Sequence, residues 1–183
     1  MDVFEAVQQR RSIRAYQDKP VPRETIEKIL EAGRLAPSAR NSEPWHFIVV
    51  TDAEKRKALS KGMFAKFLTQ VPAVIVACGD HKASPDWYAV DVGLAVENMV
   101  LTATGEGLGT CCVGSFNEKD VKAVLKIPEN FEVIVMIAVG YSAQKVDLSS
   151  KLLNLVRTRK TLSEVASEEE FGKRLVPQKI TEL

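Results

Sequence analysis

The stretch that decides the fold is Trp87-Tyr88-Ala89-Val90-Asp91-Val92-Gly93-Leu94-Ala95-Val96-Glu97-Asn98-Met99-Val100-Leu101-Thr102-Ala103-Thr104. Wound at 3.6 residues per turn, Val90, Val92, Leu94, Ala95, Val96, Met99, Val100, Leu101 and Ala103 leave it hardly any polar face. A helix apolar nearly all round is buried on all sides. A chain of 183 residues can achieve that in two ways. Its own core encloses the helix, or a second subunit covers what the core leaves bare. Periodicity alone leaves both open.

Around this helix lie β-rich runs at 45–50, 71–78 and 131–139, with a shorter one at 109–113. Their nearly continuous apolar character reads as strands covered on both faces. Before them, Val3, Phe4, Ala6 and Val7 mark a helix over 2–10. In a second helix Pro22 suits the first turn, and Ile26, Ile29, Leu30, Gly33 and Leu35 keep the period. It ends at Ala36, because Pro37 disfavours an α conformation in the residue before it. One or two helical turns fall between 53 and 67, and Asn117 caps a short helix with Asp120 three positions on. Regular structure is weakest at 142–155 and in the charged C-terminal tail. The first two helices have no strand before or between them, which predicts a three-layer α+β arrangement over a doubly wound parallel sheet. No repeat or linker divides the chain, so 1–183 reads as one domain.

Charge and cysteine content bound the function. Twenty-five Lys and Arg against 24 Asp and Glu leave a net charge of +1, too little for a general nucleic-acid surface. Three cysteines, two of them the adjacent Cys111 and Cys112, do not make a secreted disulfide framework. The N-terminus carries no apolar signal segment, and the longest apolar stretch, 71–79, is far short of the roughly 20 residues of a membrane helix. A cytoplasmic protein without membrane or nucleic-acid partners is expected. His46 and His81 sit in different segments without a matching ligand pair, so no metal site is expected.

The familiar catalytic motifs are absent. The glycines of 105–109 precede a strand rather than follow one, with Cys112 where a dinucleotide fingerprint has its third glycine. What remains is basic and small polar residues at turns. Arg10-Arg11-Ser12-Ile13-Arg14 sets three guanidiniums and a hydroxyl within five residues. Arginine's planar fork suits phosphate, although arginine at a helix end also serves the dipole alone. Arg157-Thr158-Arg159-Lys160 is a second cluster; the two converge on one anion or form independent patches. The loop Pro37-Ser38-Ala39-Arg40-Asn41-Ser42-Glu43-Pro44 offers short polar groups between two prolines, or is a plain connection.

Together these segments resemble the FMN-dependent nitroreductase family. The resemblance rests on Arg10-Arg11-Ser12-Ile13-Arg14, on 37–47 through Pro44-Trp45-His46-Phe47, and on Asp91-Val92-Gly93 with Glu97-Asn98-Met99. It continues in Gly107-Leu108-Gly109-Thr110-Cys111-Cys112-Val113-Gly114 and in Arg159-Lys160-Thr161-Leu162-Ser163-Glu164-Val165. It implies a three-layer α/β/α fold with a mixed, mostly antiparallel sheet, and a homodimer with FMN at the subunit interface. Carried over, Arg10 and Ser12, with Arg11, contact phosphate or ribityl, and Arg14 lies near the flavin N1/O2 side. Pro37, Ser38, Ala39 and Asn41 reach over from the other subunit. Cys112, Val113 and Gly114 lie along the ring near N5, and Arg157, Arg159 and Lys160 complete the phosphate site.

The implied activity is ping-pong hydride transfer from NADH or NADPH to the flavin and then to a small-molecule acceptor such as a nitroaromatic, a quinone or free flavin. The flavin carries the chemistry, so no side-chain catalyst is required. The alternative on the same resemblance is a non-catalytic FMN-binding protein that stores or senses the cofactor. Two positions depart from the family pattern. Glu43 stands where Gln is common, and Cys112 where a bulkier residue is common.

Overall fold

The computed structural model describes residues 1–143 and 159–174. They fall in two compact units, Met1–Lys145 and Val146–Leu183. In the second, the short helix α6 (Leu162–Val165) starts at a Thr161–Glu164 capping box, and Ser167 pairs with Arg174.

The first unit opens with α1 (Val3–Gln9), whose Asp2–Glu5 capping box satisfies donors at its start. Next comes α2 (Arg23–Arg34), with Pro22 at the N-cap and Leu35 at the C-cap, one residue earlier than Pro37 alone suggests. A 3-10 turn at Ala39–Asn41 leads into β1 (Trp45–Val50), then α3 (Ala53–Leu59) and a second 3-10 turn at Lys66–Gln70. There follow β2 (Ala73–Asp80), α4 (Tyr88–Gly105), β3 (Gly109–Val113), α5 (Glu118–Leu125) and β4 (Phe131–Gly140). No helix among the described residues is long and apolar enough to cross a membrane.

The four strands are ordered β1-β2-β4-β3 and every neighbouring pair is antiparallel. Among the described residues the sheet is thus antiparallel throughout, which corrects the mixed sheet implied by the resemblance. Since β2 and β3 both oppose β4, they run in the same direction, joined by the crossover helix α4. The insertion of β4 between them turns every adjacent pairing antiparallel. Among the described residues the one parallel pairing is an isolated bridge between Ser12 and Thr110.

The pleat of β2 divides the interior into two cores. Ala73, Ile75 and Ala77 face α2 and α4, where Ile29, Val92, Met99 and Ile137 pack. Val74, Val76 and Cys78 face the opposite layer, against Leu59, Leu68, Val121 and Ala138. The three layers follow. β1 departs from expectation: His46 and Val49 are exposed, because β1 is an edge strand and the helical layers are centred on β2 and β4.

The open question about α4 is answered here for the single chain. Val92, Ala95, Val96, Met99, Val100 and Ala103 are buried in the chain's own core, while Val90 is 52% and Leu94 45% exposed. Asn98 Nδ2 donates to the Ala32 carbonyl at 3.2 Å, and Gly33 lets α2 lie so close that a Cβ there would come within 2.8 Å of Met99. The core consumes one face of α4 and leaves an apolar face outward.

Candidate functional site

The segment that follows α1 is laced to the β3 edge of the sheet. Ile13 N–H donates to the Thr110 carbonyl at 2.8 Å, the Tyr16 hydroxyl donates to the Ile13 carbonyl at 2.7 Å, and Gln17 N–H donates to the Tyr141 carbonyl. Gly109 makes the approach possible, since a Cβ there would lie 2.7 Å from Ile13. This lacing sets Arg10, Ser12 and Arg14 beside β3. Arg14 and Ser12 lie close enough to Cys111, and Arg10 to Cys112, to act on those thiols.

Neither Arg10 nor Arg14 forms an ion pair among the described residues, and Ser12 and Arg14 are exposed. Arg11 behaves differently. Its guanidinium folds back to donate to the carbonyls of Gln8 and Arg10, closing the end of α1. A cleft of about 230 Å³ opens along this strip, lined by Arg10, Ile13, Thr104, Leu108 and Ser142 among others.

The two thiols alternate as strand neighbours must: Cys111 is buried and Cys112 exposed. Burial pushes the Cys111 thiol up, with Arg14 and Ser12 opposing. Desolvation also raises Cys112, supported by Cys111 and Glu97 and opposed by Arg10. Both therefore stay protonated at neutral pH, which argues against a thiolate nucleophile.

The 37–44 loop is bent to an unusual degree. Arg40, Asn41 and Glu43 have φ of 54°, 54° and 44°. Left-handed non-glycine residues cost roughly 1–2 kcal/mol each, asparagine least, so the surroundings hold this shape. The Ser38 hydroxyl accepts from Glu43 N–H at 3.0 Å, and Asn41 Nδ2 donates to Glu43 Oε1 at 3.2 Å. Glu43, the departure from the family pattern, thus engages Asn41 and is itself exposed. Ser42 Oγ is buried without a hydrogen-bond partner.

A third element enters that sequence reading missed. Gly62 presses against the backbone just after β3, where a Cβ would stand 1.7 Å from the Ser115 carbonyl oxygen. That close approach fastens the 61–64 turn beside Gly114 and Ser115, with Met63 79% and Phe64 71% exposed. The sequence signal was an apolar pair following a glycine in an otherwise polar turn.

The nitroreductase family profile matches residues 7–69 and 59–141. A relative from Archaeoglobus fulgidus, provisionally named an NADH dehydrogenase/NAD(P)H nitroreductase, is 42% identical over 146 residues, 75% of this chain and 84% of the relative.

The chain belongs to the nitroreductase family.

Solved nitroreductase-family structures share its architecture. One from Clostridium difficile 630 superposes with a TM-score of 0.79 at 30% identity, over 93% of this chain and 99% of that one. An FMN-dependent nitroreductase from Clostridium difficile R20291 gives 0.70 at 30% identity, over 86% and 99%. Within this nitroreductase-family chain, Arg10, Ser12, Arg14, Cys112 and Val113 come together on the β3 side, with Gly114 following. Pro37, Ser38, Ala39 and Asn41 gather in the loop that enters β1, at the opposite edge of the sheet. Three strand spacings, about 14 Å, separate the two edges. Arg159 and Lys160 are exposed in the second unit, and Arg157 lies outside the described residues. Among the described residues no group of three or more His, Cys, Asp or Glu side chains could hold a metal ion.

Proposed function

We propose that this chain is an FMN-dependent NAD(P)H oxidoreductase that acts as a homodimer. The observation that carries the reading is the strip at Arg10, Ser12 and Arg14: two arginines without an ion pair among the described residues and an exposed serine between them, with Arg10 lining an open cleft, in a protein of net charge +1. Guanidinium pairs of this kind suit a phosphate monoester. The donor set fits FMN in two further respects. The buried, partnerless Ser42 Oγ leaves the 37–44 loop one polar atom short of satisfaction. Cys112 and Gly114, exposed on either side of the buried Val113, offer a surface for a flat polar ring.

Bound FMN would supply the hydride relay between a nicotinamide and an acceptor. The chain's own residues orient and shield it. Arg10 and Ser12 hold the phosphate end, and Arg14 sets positive charge near the pyrimidine edge. Met63 and Phe64, held at the end of β3 by Gly62, form an apolar wall beside the ring on which a flat acceptor rests.

An unspent surface supports the dimer. Val3 (76% exposed), Phe4 and Val7 on α1 adjoin α4, which presents Val90 and Leu94. Burying side chains of this size contributes about 1.5–3 kcal/mol each. A second copy docked on this face brings its 37–44 loop to the first copy's arginine strip, joining halves that one chain holds at opposite edges of its sheet.

The test is a visible spectrum of the purified protein followed by anaerobic mixing with NADH and NADPH. A flavin spectrum bleached by at least one nicotinamide is the expected result. A colourless protein that cannot be reconstituted with FMN refutes the reading, and a flavin that neither nicotinamide bleaches marks a carrier.

A further inference from the structure

Asp91 is 3% exposed in the first turn of an otherwise apolar helix, the one buried acid among the described residues. A charge taken from water needs partners, and both of its oxygens have one. Oδ1 accepts from Ala39 N–H at 3.0 Å, and Oδ2 accepts from the Ser84 hydroxyl at 3.2 Å. Ser84 is itself 6% exposed, in the turn between β2 and α4. Three segments distant in sequence thus meet at one carboxylate, where the start of α4 also favours negative charge.

The contact with Ala39 is unlike the loop's other hydrogen bonds. Those of Ser38, Asn41, Ser42 and Glu43 stay within the loop. Among the described residues, the Asp91 bond is the one that ties 38–43 to the rest of the protein. It enters next to Arg40 and Asn41, both left-handed. The end of the loop is fixed separately by buried Pro44, whose carbonyl accepts from Asp80 N–H at 2.7 Å, so the strained bend ahead of it depends on the Asp91 anchor.

We propose that Asp91 is the positioning residue of the 37–44 loop, holding it in the bent conformation that meets FMN. This rests on the function proposed above. It adds that α4 carries, one turn apart, both the face that docks a second copy and the clamp that presents this copy's loop to it. Interface and cofactor loop then share one rigid support.

The experiment compares Asp91→Ala with Asp91→Asn in the full-length protein by two readouts. These are tryptic cleavage after the exposed Arg40 in the FMN-free protein, and FMN affinity by quenching of flavin fluorescence. Asp91→Ala is expected to raise Arg40 cleavage and the FMN Kd by about tenfold or more, the weight of a hydrogen bond to a charged group. Asp91→Asn is expected to stay near wild type in both. Its amide oxygen still accepts from Ala39, and the Ser84 hydroxyl turns to accept from Nδ2. Arg40 cleavage and an FMN Kd both unchanged in Asp91→Ala overturn the proposal, as do equal losses in the two variants. Should Asp91→Ala fail to fold, Asp91→Leu, which fills the space but cannot accept from Ala39, takes its place, with faster Arg40 cleavage expected and unchanged cleavage contradicting the clamp. If wild-type protein takes up no FMN, the function proposed above falls, while Arg40 cleavage still decides whether Asp91 holds the loop.

Discussion

Helices α2 and α4 lie side by side on the same face of the sheet and share one core, yet their outer faces differ. The outward side of α2 is charged: Arg23 pairs with Glu27 and Glu31 with Arg34, each at 2.7 Å, and Lys28 reaches Glu106 at 2.6 Å. The outward side of α4 carries Val90, Leu94 and the lone acid Glu97. Both bury isoleucine, valine or methionine inward, so the inner faces do not tell them apart. The outer faces do: α2 turns ion pairs to the outside, and α4 turns out the apolar Val90 and Leu94, the face that the proposed homodimer would cover. Substitutions of one kind should therefore have opposite weights on the two helices.

The largest effect is expected at Leu94. Leu94→Glu puts a charge on the apolar face without touching the core. Light scattering should show the particle mass halved and FMN lost, with the monomer still folded by circular dichroism. The matching charge change on α2, Glu27→Lys, should leave the mass unchanged. A folded Leu94→Glu protein that remains dimeric would break the comparison.

Next comes the core the helices share. Met99 is fully buried and touches the space above Gly33, so Met99→Ala should cost about 2–5 kcal/mol in urea unfolding. Gly33→Ala errs the other way, overpacking the same contact by about 1–3 kcal/mol. At the site, Arg14→Ala should weaken FMN binding by about tenfold or more, read by fluorescence titration, from the loss of a charge-assisted bond. Phe64→Ala should leave that affinity unchanged while raising the KM for an aromatic acceptor, a split that separates the acceptor wall from the cofactor cradle.

The smallest effect belongs to the outer face of α2. A hydrogen bond from Arg34 holds the Glu31 carboxyl below the usual carboxylate range. Its contribution is complete above the unfolded pKa and fades as pH falls through the lowered folded value. Glu31→Gln should therefore change melting slightly near neutrality and not at all in strong acid, and salt should shrink the difference.

The sequence disclosed the helices and strands well because each advertises itself locally. Apolar spacing marks α2 and α4, and Asn117 marks the cap of α5. It did not disclose that β4 inserts between β2 and β3, since strand order depends on partners far away in the chain. The exposure of His46 and Val49 was hidden for the same reason: an edge strand and a central strand can carry the same apolar run. At the site, the arginine strip and the loop were legible as residue types, and Arg11 shows the limit, because only the folded chain reveals it turned onto its own helix end. Asp91 was readable in principle. A single carboxylate in the first turn of an apolar helix must find buried partners, but which ones depends on the fold.

The central claim is that each site takes its arginine strip from one copy and its 37–44 loop from another. Mixed dimers test it most directly. A chain with Arg10→Ala and Arg14→Ala is co-expressed with a chain carrying Asn41→Trp, which blocks the loop, and doubly tagged mixed dimers are isolated. Neither variant alone should hold FMN. The account predicts that the mixed dimer binds one FMN, because the intact strip of one chain meets the intact loop of the other. A mixed dimer as empty as either parent would place both halves of the site in a single chain and contradict it.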